Sequence, residues 1–289
     1  MLTDMVTTSI LQESLTVDST SLKRPVQVDL YFAGGVAVDP GTDLLLINDG
    51  QDLARLGLAG MLEQLDKRGE LTPLLCAGVH AGPERKMEYG VASRANDQGW
   101  GKSAEAYSRF VLDELIPAIT GRFGVPGFRM KAMAGFSLGA LSAMDIVWAH
   151  PGEFTTAGLF SGSFWWRTKD KNDPSYDERR DRIMQDEVRK GAYHHGLRFF
   201  FECGTEDELD DRNSTGVIDS IDDTQDLIAE LVRKGYDPAR DIRYLEIEGG
   251  RHDVATWARS MPEFLMWGWG KTGGWGKTGN DGTRDRQTK

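Results

Sequence analysis

The stretch Met130-Lys-Ala-Met-Ala-Gly135-Phe-Ser137-Leu-Gly139-Ala-Leu-Ser-Ala-Met144 decides how this chain is read. Met130, Ala132, Met133 and Ala134 make a short apolar run of the kind a buried strand needs. Beyond a Gly-x-Ser-x-Gly turn, Leu138, Leu141, Met144 and Val147 recur at helical spacing until His150-Pro151 stops the helix. Gly135 and Gly139 leave no side chain where strand and helix must pass closely, and the serine between them is forced into a strained backbone that lifts its hydroxyl above the sheet edge. Such a turn alone is common. Flanked by strand and helix it reads as a nucleophile elbow with Ser137 at its apex.

Working outward, the rest of the chain supplies the sheet such an elbow requires. On the amino-terminal side, Ile10 to Val17 and Val26 to Phe32 alternate with period two and suit an antiparallel edge hairpin. Asp43-Leu-Leu-Leu-Ile-Asn-Asp-Gly50-Gln51 and Pro73-Leu-Leu-Cys-Ala-Gly-Val are apolar runs typical of strands buried on both faces. A helix is expected from about Ser103 to Thr120, with Tyr107, Phe110, Val111 and Leu115 along its apolar stripe. On the carboxyl-terminal side come strands at Ala157-Gly-Leu-Phe-Ser-Gly, Leu197-Arg-Phe-Phe-Phe-Glu-Cys-Gly and Ile242-Arg-Tyr-Leu-Glu-Ile, with a helix from Asp222 to Lys234 between the last two. Alternating strands and helices define an α/β, doubly wound, mostly parallel sheet, here with the antiparallel hairpin at its edge.

Length and composition agree with one domain of this type. The chain has 289 residues, with 34 Lys and Arg against 45 Asp and Glu, a net charge of −11 spread along its length. That balance excludes a nucleic-acid binder, which needs a basic face to neutralise phosphates. No run approaches the ~18 to 20 apolar residues that cross a bilayer, so no membrane partner is expected. Cys76 and Cys203 lie in apolar strands and read as reduced core thiols. The first ten residues lack the pattern of an export signal, and the expected location is the cytoplasm. The domain is expected over residues 1–268, with a candidate cap in the charged excursion at about 165–195. Residues 269–289, where Gly268-Trp-Gly-Lys-Thr-Gly repeats at Gly274, read as a low-complexity, mobile tail. Its Gly-Lys-Thr triplets lack the upstream glycine of a phosphate loop, since Leu265 and Lys271 stand there.

The order of the polar residues at strand ends carries a mechanism. Ser137 comes first, then an acid past Cys203-Gly204, then His252 after the last strand. Ser, acid, His is the chain order of an α/β-hydrolase. A serine hydroxyl attacks only when a neutral imidazole takes its proton, and a carboxylate on the far ring nitrogen holds the tautomer and steadies the imidazolium. Glu202, Glu206, Asp207 and Glu208 all crowd the strand end. Glu202 lies within the strand, whereas the loop beyond can carry a side chain over the sheet's carboxyl edge. The N–H of Leu138 and a second from Gln51, or failing it Gly50, are the expected oxyanion donors. His194-His195 has no partner at metal-ligand spacing, so neither metal nor cofactor is expected.

Six motifs occur in order: Asp49-Gly-Gln, Arg85…Glu88-Tyr89, Gly135-Phe-Ser-Leu-Gly, Ser161-Gly-Ser-Phe-Trp-Trp, Cys203-Gly-Thr-Glu-Asp and Gly250-Arg-His…Trp257. Together, over about residues 8–268, they resemble the putative-esterase family of α/β-hydrolases, which includes enterochelin esterases, esterase D-like enzymes, feruloyl esterases and mycolyltransferases. The resemblance implies a metal-independent serine ester hydrolase acting on a small-molecule ester, with Ser137, Asp207 and His252 as its triad. An acyltransferase would use the same three residues, and a binding module could use the same fold. Arg85, Trp165 and Trp166 are candidates for the substrate wall. Ala140 replaces a glycine common in the family, a small residue that still lets the helix pack.

Overall fold

The computed structural model describes residues 9–271. Eight strands form a single sheet: β1 Ile10–Ser19, β2 Arg24–Ala33, β3 Asp43–Asn48, β4 Leu74–Val79, β5 Lys131–Phe136, β6 Thr156–Phe160, β7 Arg198–Glu206 and β8 Ile242–Arg251. Their spatial order is β1-β2-β4-β3-β5-β6-β7-β8. The β1–β2 and β2–β4 pairs are antiparallel, and from β4 through β8 every pair is parallel. This is the expected edge hairpin on a doubly wound sheet.

The apolar runs are long because both faces are covered. Phe199 and Phe201 of β7 point into one layer with Phe110, Leu141, Met144 and Leu227, while Phe200 between them points into the other with Leu62, Phe160, Met261 and Phe264. Alternation of side chains along a strand sorts one sequence run into two cores. The first layer is built by the helix Leu138–Ala149, by Asp219–Lys234, and by a long helix from Ala104 to Phe123 that widens to i→i+5 turns over Phe110–Leu115. The second is built by Leu58–Lys67 and Val254–Trp269.

Two helices go beyond the sequence reading. Leu58, Leu62 and Leu65 bury one face of the first. The second starts at Asp253, whose carboxylate accepts the Thr256 N–H at 2.9 Å as an N-cap, and it runs through Pro262. Its last residue, Trp269, is buried edge-on to Phe264, with ring centroids 5.5 Å apart. Gly270 and Lys271 then pair with the Glu70–Leu71 backbone. The boundary expected at 268 therefore falls later. Glycines on either side of Trp269 suggested a tail, but the indole finds a core slot; the remainder, 272–289, lies outside the described residues.

The charged excursion is packed down rather than free. Ile183, Met184 and Val188 are buried, Arg182 donates to Asp223 and Asp226 at 2.8 and 2.7 Å, and Arg189 donates to Glu230 at 2.7 Å. These pairs bind it to the helix Asp219–Lys234 on the flank of the sheet. No described helix is long and apolar enough to cross a membrane.

Candidate active site

Parallel strands deliver their following loops to one edge of the sheet. Here that edge collects Asp49–Gln51 after β3, Arg85 and Tyr89 after β4, Ser137 after β5, Ser161 and Ser163 after β6, Asp207 at the end of β7 and His252 after β8.

Ser137 has φ 56° and ψ −121°, a conformation L-residues rarely adopt. It persists because its surroundings fix it. Its N–H donates to the Phe160 carbonyl at 2.9 Å, and its own carbonyl accepts from Ser163 N–H at 3.2 Å. A Cβ on Gly135 would come within 2.4 Å of the Gly139 backbone, so the strand and helix cross too closely for any side chain. The helix start is pinned in turn by Asn48, whose Nδ2 donates to the Gly139 carbonyl at 2.7 Å while Tyr107 donates to its Oδ1 at 2.5 Å. As the first residue of that helix, Leu138 presents an N–H with no acceptor four residues back.

The loop after β3 is equally constrained. Asp49 sits at φ 62°, and a Cβ on Gly50 would lie 2.3 Å from the Gly78 backbone. Arg85 grips the Asp49 carboxylate with two hydrogen bonds of 2.7 Å, reaches toward the Phe136 carbonyl at 3.4 Å and lies 5.0 Å over the Tyr89 ring. The Asp49 N–H donates to Tyr89 Oη at 3.3 Å, and the Gln51 side chain accepts from the Ala81 N–H at 3.1 Å. Arg85 thus fastens the turn that carries Gly50 and Gln51 to the elbow.

Of the four acids near the end of β7, Asp207 is the one whose charge acts on His252. The histidine is held below its ordinary pKa mainly by burial; Asp207 pulls it upward, Arg85 pushes it further down and Asp253 opposes weakly. Burial raises the Asp207 carboxyl, opposed by the Ser161 hydroxyl and by His252. Glu206 points outward to Arg251 at 3.1 Å, and Glu208 lies nearer Asp219 and Asp210. Glu202 is wholly buried in the strand. No hydrogen bond joins Ser137 to His252: the serine hydroxyl lies 3.4 Å from that of Ser163, and neither Asp207 carboxylate oxygen has a partner. Trp257 organises the space between, stacked on Phe136 at 4.8 Å, edge-on to His252 at 5.5 Å and donating to Ser161 Oγ at 2.9 Å.

Trp166 does not form a substrate wall. It is completely buried, its ring against the backbone of Gly90 and Gly101, because the chain turns inward there and Ile183 N–H donates to its carbonyl. Trp165 is half-buried beside it, with Arg167 over its ring. His194 packs edge-on to Trp148, 5.2 Å between centroids, remote from the elbow in sequence and fold. Ser163 and Asn48 are site residues that sequence reasoning gave no role; Asn48 ends β3 and Ser163 stands three residues past β6, the position after a strand being the one signal that marks them.

A mostly parallel eight-stranded sheet with a strained serine between β5 and its helix, and an acid and a histidine two and three strands away, defines an α/β-hydrolase. The family model described as "Putative esterase" matches residues 19–267, and the chain belongs to that family. No curated protein sequence matches it. Among solved structures it is similar to the enterobactin esterase of Shigella flexneri, with TM-score 0.68 and 20% identity over 89% of this chain and 59% of that one. It is also similar to the siderophore hydrolase EstA of Aspergillus nidulans, with TM-score 0.66 and 14% identity over 89% and 93% of the two chains. An IroE-like serine hydrolase from Shewanella oneidensis gives TM-score 0.65 and 16% identity over 89% and 79%. The chain spans only about 59% of the length of the enterobactin esterase chains it matches.

Proposed function

We infer that the protein is a serine carboxylic-ester hydrolase, with Ser137 as nucleophile, His252 as base and Asp207 as the acid behind it. The observation that carries this reading is the strained Ser137 at the same sheet edge as Asp207 and His252, in a chain of the esterase family. Neutral His252 takes the Ser137 proton as Oγ attacks the ester carbonyl. The tetrahedral oxyanion is met by the Leu138 N–H and a second from Gln51 or Gly50, and the protonated imidazole gives its proton to the departing alkoxide. Water, activated by the same histidine, then releases the acid from Ser137. Ser137 and Asp207 make no hydrogen bond to His252 in this structure, and such contacts often tighten only in the reacting complex. No step calls on a metal or cofactor. The buried, unpaired Cys76 and Cys203 are in keeping with the cytoplasm.

A panel of p-nitrophenyl esters of graded acyl length, extended to aryl and siderophore-type esters and run with and without an alcohol acceptor, tests the reading. Turnover to free acid that is unchanged by the acceptor is expected. Preferential acyl transfer to the alcohol would make the protein an acyltransferase, and no turnover of any ester would leave it a binding module.

A further inference from the structure

Glu202 is a glutamate inside a parallel strand, wholly shielded from solvent, and neither of its carboxyl oxygens has a hydrogen-bond partner. The same is true of both oxygens of Asp207. Asp207 Oδ1 lies 2.7 Å from where a Cβ on Gly204 would stand, on the face of the strand that Glu202 occupies two residues earlier, so four buried oxygens without partners lie on one side of β7, a costly arrangement unless something is shared. The Ser161 hydroxyl accepts from Trp257 Nε1 and has a single O–H left to give, which can serve one of the two carboxyls but not both. One proton resolves the arrangement, because two adjacent buried carboxylates do not both ionise.

We propose that Glu202 is a positioning residue for the triad: it stays in the acid form and donates its O–H to the Asp207 carboxylate, holding that carboxylate toward His252. This rests on the assignment of Asp207 as the triad acid. Glu202 keeps the proton. The oxygens of both groups are shielded from solvent, but only Asp207 has His252 beside it to favour its charged form. Burial, then the Asp207 charge, push the Glu202 carboxyl up to about 8; the Ser161 backbone and hydroxyl and Arg259 from the last helix act weakly the other way. Asp253, beyond His252, is the remaining charge facing Asp207, and the neighbouring Cys203 thiol is raised well above its ordinary value and stays neutral. A charge-assisted O–H···O⁻ bond of this kind is among the stronger hydrogen bonds a protein makes. A Cβ at Gly204 would meet the Gly250 backbone at 2.4 Å before Asp207 Oδ1 at 2.7 Å, so the close approach of the last two strands requires the glycine and the carboxylate fills the space beside it.

The experiment combines kinetics with infrared spectroscopy. Because buried Asp145 is also raised, to about 7, the protonated-carboxyl band is read as the wild type minus Glu202→Gln difference: this difference band is present at pH 7 and disappears as pH rises through about 8, while wild-type kcat falls about three- to tenfold with KM unchanged as the two carboxylates repel. Glu202→Leu lowers kcat roughly tenfold or more at all pH values, again with KM unchanged. Glu202→Gln, whose amide is a donor that cannot ionise, restores most of that loss, keeps only the Asp145 part of the band and shows no alkaline fall. Absence of the difference band at pH 7, or an alkaline fall that persists in Glu202→Gln, overturns the proposal. Asp207→Asn separates the two failures: if it keeps wild-type turnover, the triad assignment falls and this inference with it; if it is crippled while Glu202→Gln titrates like wild type, only this inference falls.

Discussion

Replacing Arg85 by methionine keeps the length of the side chain and removes its charge, and the structure says what that costs. Asp49 is 3% exposed and held at φ 62°, with both carboxylate oxygens bonded to the guanidinium at 2.7 Å. Removing one partner of a buried pair costs about 3–5 kcal/mol, because the other charge is left without compensation. The Arg85 side chain is 31% exposed, so solvent screens part of the interaction and about 2–3 kcal/mol is expected. For a domain of this size that lowers Tm by roughly 5–10 °C. A second effect is catalytic, since the pair fastens the Gly50–Gln51 turn beside the elbow, and a displaced oxyanion donor costs up to about a hundredfold in kcat. Arg85 also lowers the pKa of His252, so its loss moves the acid limb of the pH profile upward. Thermal unfolding and a kcat–pH series on Arg85→Met, Asp49→Asn and the double variant read all three. Asparagine tolerates the left-handed backbone, so the double variant recovers part of the stability lost in Arg85→Met. An Arg85→Met protein with wild-type Tm, kcat and acid limb would refute the anchoring role.

For the wild type, kcat/KM rises with pH as His252 loses its proton; because burial dominates and depresses its pKa, the midpoint of that rise lies below the ~6.5 of a free imidazole. An acid limb centred above that value would show that Asp207 outweighs burial. Gly135→Ala places a methyl group 2.4 Å from the Gly139 backbone, where no flexible side chain can yield, and the variant is expected to be insoluble or to lose several kcal/mol, as chemical denaturation would report. Trp166→Ala empties a slot between Gly90 and Gly101 and costs roughly 3–5 kcal/mol by the same measurement, with KM for small esters unchanged. A raised KM with unaltered stability would return Trp166 to the substrate wall.

Most of the sheet was legible in the sequence because burial on both faces writes uninterrupted apolar runs, and Asp43–Asn48, Leu74–Val79 and Lys131–Phe136 all fall where those runs do. The last helix was hidden by Pro262 and by glycines around Trp267 and Trp269, although Asp253, Val254, Trp257, Met261 and Phe264 carry an N-cap and a helical stripe. Glycine-rich sequence reads as punctuation until a large ring beside it finds a partner. At the site, Ser137 and His252 were marked by motif and by strand-end position. Among Glu202, Glu206, Asp207 and Glu208, a register irregularity between Gly204 and Glu206 turns Glu206 toward Arg251, which supports the proposal of Asp207 as the acid. Spacing along the chain does not encode that irregularity. Trp166 illustrates the opposite error, since adjacent aromatics look like a surface until one is seen to fill the core.

The central claim is that Ser137 is the nucleophile of an acyl-enzyme. Incubation with a serine-directed fluorophosphonate, followed by intact-mass and peptide mass spectrometry, tests it directly. One adduct per chain is expected, located on Ser137, with loss of ester turnover in step with labelling, while Ser137→Ala takes up no label and loses at least about a thousandfold in kcat. Labelling of Ser161 or Ser163 instead, or a Ser137→Ala protein that retains a tenth of wild-type turnover, would contradict it.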